Sequence, residues 1–151
     1  MYKLFSTIVV ALLLATATAY TQAQAPSMDA LIAAAAKSPS AKPALLKALM
    51  NGHVFVIATW KSKDAKDINV QDFMRNGKSF IPIFQDQKHF ETETKGSGFE
   101  KKGVSIDANM LASIMKGTET LVLNPGSKTP IDIAASELKP LIDKSRLPKA
   151  K

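Results

Sequence analysis

The hydrophobic pattern changes period several times along this chain, and each change marks an element. Met28 to Lys37 is rich in alanine, a strong helix former, with Ser27 placed to cap it and Ser38-Pro39 to stop it. Leu45, Leu46, Leu49 and Met50 recur at helical spacing between about Ser40 and Met50, which predicts a second helix with one apolar face. Asn51-Gly52 is expected to close it through a left-handed residue. His53 to Trp60 abandons the helical period for near-continuous Val, Ile and Phe, the pattern of a central strand covered on both faces.

Lys61 to Lys78 is charged and carries Asn76-Gly77, so it reads as a surface excursion, with Val70, Phe73 and Met74 pinning a turn of helix to the body. Phe80 to Phe84 predicts a second strand. Pro82 has no N–H to give a ladder, so it belongs at an edge or on a side left unpaired. Asp86 caps a helix to about Thr94 that ends in Lys95-Gly-Ser-Gly98. Gly103 to Ile106 predicts a short strand, and Asp107 caps a helix from Ala108 to Lys116 that Gly117 terminates. A strand follows at Thr120 to Leu123. Asn124-Pro125-Gly126 fits a type II turn, with Pro125 at the first central position and Gly126 at the positive-φ second. A last strand near Ile131 and a helix from about Ala135 to Asp143 complete the domain, leaving a basic tail from Lys144 to Lys151 expected to fray.

Strands alternating with helices after Phe80 favour parallel crossovers. The expected fold is α/β (α+β), a mixed, partly parallel sheet of about four to five strands packed by about five helices. The strands at 80–84, 103–106 and 120–123 are expected to run in the same direction.

Three blocks in this order resemble a known family. Leu31 to Ile57, with Ser38-Pro39 between short helices and Leu45-Leu46-x-x-Leu49 before Val54-Phe55-Val56, is similar to the opening of the SseB-like N-terminal domain (enhanced serine sensitivity protein family). Phe80-Ile-Pro-Ile-Phe84 resembles its second strand, and Leu121-Val-Leu-Asn-Pro-Gly126 its most recognisable stretch. The resemblance spans almost all of the chain after the leader and implies an α/β domain of poorly defined activity, with no agreed catalytic residues to carry over. An export signal, and the expectation that no C-terminal domain follows, depart from the usual pattern. A cytoplasmic role therefore does not carry over.

The amino terminus changes the picture most. Lys3 precedes an uncharged apolar run from Leu4 to Leu14, and Ala15 to Ala25 mixes small and polar residues, as in a secretory signal peptide. Cleavage is expected after Ala23, with the mature chain starting at Gln24, or alternatively after Ala19. Residues 24–151 then form one domain. The run is shorter than the roughly 18 to 20 residues that span a bilayer, so no stable membrane insertion is expected, and the product is periplasmic or secreted. Cysteine is absent, so the domain gains nothing from an oxidising compartment. The net charge of +7 falls to +6 on loss of Lys3, an excess that allows weak contact with anionic surfaces without naming one. Aromatic residues do not interleave with the lysines as base stacking requires, so nucleic acid is not an expected partner.

No nucleophile elbow, phosphate loop, dinucleotide fingerprint or zinc-protease motif occurs. His53 and His89 are the only imidazoles, and the one carboxylate near ligand spacing is Glu93, a turn after His89. No catalytic residue, cofactor or metal site is therefore assigned. Ligands of parallel-crossover sheets bind beyond the carboxyl ends of the strands. That edge holds Gln85, Asp86, Asp107 and Asn124 as ligand-binding candidates, with Pro125 and Gly126 as a structural turn. The plainer reading makes the two aspartates helix caps and Asn124 a turn residue. The function expected is a non-catalytic binding or protein-interaction module for an unknown protein or small molecule. The alternative is a small envelope enzyme that uses these carboxylate and amide groups.

Overall fold

A computed structural model of the chain describes residues 24–60 and 68–148. The elements follow the hydrophobic pattern closely. Helix α1 is Met28–Lys37, capped by the Ser27 hydroxyl, which accepts the Ala30 N–H at 3.2 Å. A single 3₁₀ turn at Pro39–Ala41 leads into α2, Lys42–Met50. Strand β1 (His53–Trp60) is followed by short β2 (Ile68–Val70) and β3 (Phe73–Arg75), then β4 (Lys78–Phe84), α3 (Gln87–Thr94) and β5 (Gly103–Asp107). Helix α4 (Ala108–Ile114), β6 (Thr120–Leu123), β7 (Ile131–Ala134) and α5 (Ala135–Leu138) complete the order.

All seven strands form one mixed sheet. β1 is central. It pairs antiparallel with β5 from His53↔Asp107 to Ile57↔Gly103, and with β4 at Phe55↔Phe84 and Val56↔Ile83. β4 pairs parallel with β6, and β7 closes that side antiparallel to β6. Because β4 and β5 each oppose β1, and β6 follows β4, the three strands β4, β5 and β6 do run in the same direction, though only β4 and β6 are adjacent. Pro82 explains why the β1–β4 pairing is so short. Ile83 gives its carbonyl to the Asn124 N–H at 2.8 Å, on the β6 side, so the alternation turns the Pro82 backbone toward β1. With no N–H there, the Ile57 carbonyl takes the Gln71 N–H instead, at 2.8 Å, and β2 pairs with the far half of β1.

The alternation of side chains gives the sheet two unlike faces. Val54, Val56, Ala58, Ile81, Ile83 and Leu121 point to an aliphatic core closed by α1, α2, α4 and α5. Phe55, Ile57, Phe73 and Phe84 point the other way, where, among the described residues, Phe90 of α3 and Phe99 of the following loop pack on them. Gly103 lets the Phe90 ring lie against β5: a Cβ there would stand 2.5 Å from the ring.

Several expectations are corrected. Among the described residues there are seven strands, because the segment expected to hold a turn of helix forms β2 and β3, while residues 61–67 lie outside them. Asn76 and Gly77, with φ of 52° and 76°, make the two-residue hairpin turn joining β3 to β4. The left-handed residue after β6 is Asn124, at φ 49°, rather than Gly126; Pro125 and Gly126 occupy the centre of a turn closed by Ser127 N–H to the Asn124 carbonyl. Asn51 ends α2 in right-handed geometry. Helix α4 stops at Ile114, and α5 gives way before Pro140 to a 3₁₀ turn. The tail expected to fray from Lys144 is tied down as far as Arg146. The Asn109 amide exchanges two hydrogen bonds with the Asp143 backbone at 2.7 and 3.0 Å, and Arg146 reaches the Met50 carbonyl and Asp107.

Candidate functional site

Three of the four carboxyl-edge candidates meet. The Gln85 N–H donates to Asn124 Oδ1 at 3.1 Å and Asn124 Nδ2 donates back to Gln85 Oε1 at 2.8 Å, a bracket that continues the parallel β4–β6 contact past the end of the ladder. Gln85 Nε2 also donates to Asp29 of α1 at 2.7 Å and, more weakly, to Asp86. Asp86 caps α3 by accepting the His89 N–H at 2.8 Å and lies 2.8 Å from His89 Nδ1. Burial works against its charge, but these bonds from His89, the nearby imidazole and Gln85 outweigh that and hold its carboxyl below the usual range. Asp107 stands apart, since β1 separates β5 from β4; it caps α4 through the Met110 N–H at 3.0 Å and pairs with Arg146. Each of the four therefore has a structural hydrogen bond in hand. Among the described residues no three His, Cys, Asp or Glu side chains converge as metal ligands.

The turn after Asn124 leads to a different place. Pro125 and Gly126 close one end of a cavity of about 240 Å³ on the aromatic face, whose walls are Ile57, Phe73, Phe80, Pro82, Phe84 and Phe99. Phe73 meets Phe99 edge-on at 5.4 Å between ring centres, and Phe84 meets Phe90 the same way at 5.3 Å. The polar groups here are nearly all committed. Thr94 donates to the Phe90 carbonyl, and Ser97 donates to the Thr94 carbonyl while accepting the Phe99 N–H. Glu93 is the exception: Oε2 accepts the Gly126 N–H at 2.6 Å, while Oε1 is buried without a partner. Burial pushes this carboxyl above its usual range, against the lowering effect of Gly126 and His89.

A larger depression of about 440 Å³ lies at the amino ends of β4 and β6. Arg75 pairs there with Asp132 and Glu137 with Lys42, while Lys78 on its wall joins no ion pair among the described residues; its lining is charged and polar where that of the aromatic cavity is apolar. The sequence pattern showed Glu93 only as a neighbour of His89. The signal that finds the cavity is the alternation within β4, where Phe80, Pro82 and Phe84 share one face opposite Ile81 and Ile83.

A mixed sheet with one face closed by four helices and the other only half covered defines a small α/β domain with a partly open aromatic face. The SseB protein N-terminal domain model matches residues 28–139, and the chain belongs to that family. Comparison with curated proteins and with solved structures gives no match.

Proposed function

We propose that this is an exported, non-catalytic binding domain that uses the aromatic cavity. The observation that carries this reading is the cavity itself, apolar on nearly every wall and open beside a sheet face that, among the described residues, has one covering helix. Concave apolar sites with a few placed polar groups are where ligands bind. The enzyme alternative relied on the carboxyl-edge aspartates, and both are engaged as caps. Export rests on Lys3, the apolar run and the small-residue stretch, which up to residue 23 lie outside the described residues. Among the described residues no helix is long and apolar enough to cross a membrane.

Titration of ¹⁵N-labelled protein with N-acetyl-phenylalaninamide tests the binding site. Amide shifts confined to β4, the 95–99 loop and Gly126 are expected; shifts scattered over the surface, or none, refute it. For export, N-terminal sequencing of native protein should read Gln24 first, and an intact Met1 refutes the leader.

A further inference from the structure

The volume and the rim of the cavity narrow the partner, on the reading that this cavity is the binding site. At about 240 Å³ it falls below the roughly 300 to 1,000 Å³ of pockets that engulf whole small molecules, and suits one inserted side chain. A recess also fits a membrane poorly, because bilayers are entered by apolar side chains that protrude. The rim is basic. The Lys102 ammonium lies 5.2 Å above the Phe99 ring centre, exposed and outside every ion pair among the described residues. Lys95 and Lys101 are exposed on the same loop, and the exposed Glu100 between them is held to the loop by accepting the Gly96 N–H, which leaves lysines in the majority. Arg75 covers the Phe80 ring at 5.3 Å but is already paired with Asp132, so the lysines carry the charge of the rim.

We propose that the cavity docks one apolar side chain from a segment of a partner protein whose neighbouring carboxylates meet Lys102 at the rim. Aromatic anchors in a desolvated pocket supply most of the energy of such contacts, and exposed charges at the rim add selectivity and rate. The interior makes the contact depend on pH. An apolar group over Glu93 removes water from its carboxyl and penalises the charged form further, so docking takes up a proton and tightens as pH falls. The groups facing Glu93 from other elements are uncharged: Pro82 and Phe84 of β4, Ser97 of the loop, and the Pro125-Gly126 turn. His89, on its own helix, is the one ionisable neighbour acting on it.

The test is an amide-shift titration of the protein at low salt with three blocked tripeptides, Glu-Phe-Glu, Gln-Phe-Gln and Lys-Phe-Lys. The acidic peptide should bind about fivefold more tightly than the neutral one, close to the most that one exposed ion pair supplies, and the basic one most weakly. Lys102→Glu should invert the order of the acidic and basic peptides. With the neutral peptide, whose side chains do not titrate, Glu93→Gln should bind at neutral pH as tightly as the parent does in acid and lose the pH dependence. Equal affinity for all three peptides, with shifts at the cavity, overturns the acidic partner and leaves the binding site standing. No shift with any of them overturns both. Displacement of the acidic peptide by phosphatidylglycerol vesicles makes the partner a membrane and overturns the proposal.

Discussion

The two faces of this sheet are made by the same strands and solve different problems. On one face Val54, Val56, Ile83, Leu121 and Ile133 are almost fully buried under four helices. On the other Ile57, Pro82, Phe84, Phe90 and Val122 are buried, while Phe55, Phe73 and Phe99 keep part of their surface. The aliphatic face is where burial stabilises the fold, at roughly 25 cal/mol per Å² of apolar surface removed from water. The aromatic face gives up some of that stabilisation and keeps an opening. A domain without disulfides carries such a face only because the first core is sufficient.

Breaking the closed face should have the largest effect. Val56 is fully buried in β1, between β4 and β5, and Val56→Asp should cost about 4 kcal/mol or more, since a carboxylate must be buried unpaired or kept protonated. Chemical denaturation measures this, and a change below about 0.5 kcal/mol would show that β1 is not central. On the open face, Gly103→Ala tests how tightly α3 is seated. Its Cβ would lie 2.5 to 2.9 Å from the Phe90 ring, which should cost about 1 to 3 kcal/mol and displace the Phe90 signals in NMR spectra. A neutral result would mean that α3 rides loosely on β5.

Asp86→Ala removes the cap that anchors α3 and should cost about 1 kcal/mol at neutral pH. Because the folded state lowers the Asp86 pKa, its contribution is present above the unfolded value near 3.8 and is lost as pH falls through the folded value. A difference between mutant and parent that persists undiminished in strong acid contradicts this. Glu93 has the opposite sign and the smallest effect. Its pKa is raised by folding, so its charge destabilises the domain above the folded value, and that penalty disappears as pH falls to the unfolded value near 4.5. Glu93→Gln should therefore raise the thermal midpoint modestly at pH 7 and not in acid, because the amide keeps the bond from Gly126 without the charge. A lower midpoint at pH 7 would show that the charged form is needed.

Much of this was legible in the residues. The caps at Ser27, Asp86 and Asp107, the limits of α3 and β6, and the common direction of β4, β5 and β6 follow from local chemistry and alternation. The β3–β4 hairpin was legible too, since Asn76-Gly77 is a strong two-residue turn signal, yet the charged surroundings masked strands only three residues long. The anchoring of the tail was not legible: it depends on Asn109, Met50 and Asp107 standing near Arg146 and Asp143, residues far apart along the chain. Asn124 looked like an ordinary turn residue because its partner, Gln85, is 39 positions away.

By itself the sequence determined most of the elements, their order and the family, because period, caps and turn residues act within a few positions of one another. Only the tertiary structure decided which face four helices would close and which would stay open. That depends on where each connection returns across the sheet. It also seats Glu93 against Gly126 with one carboxyl oxygen unpartnered, a contact between residues 33 positions apart that no local pattern encodes.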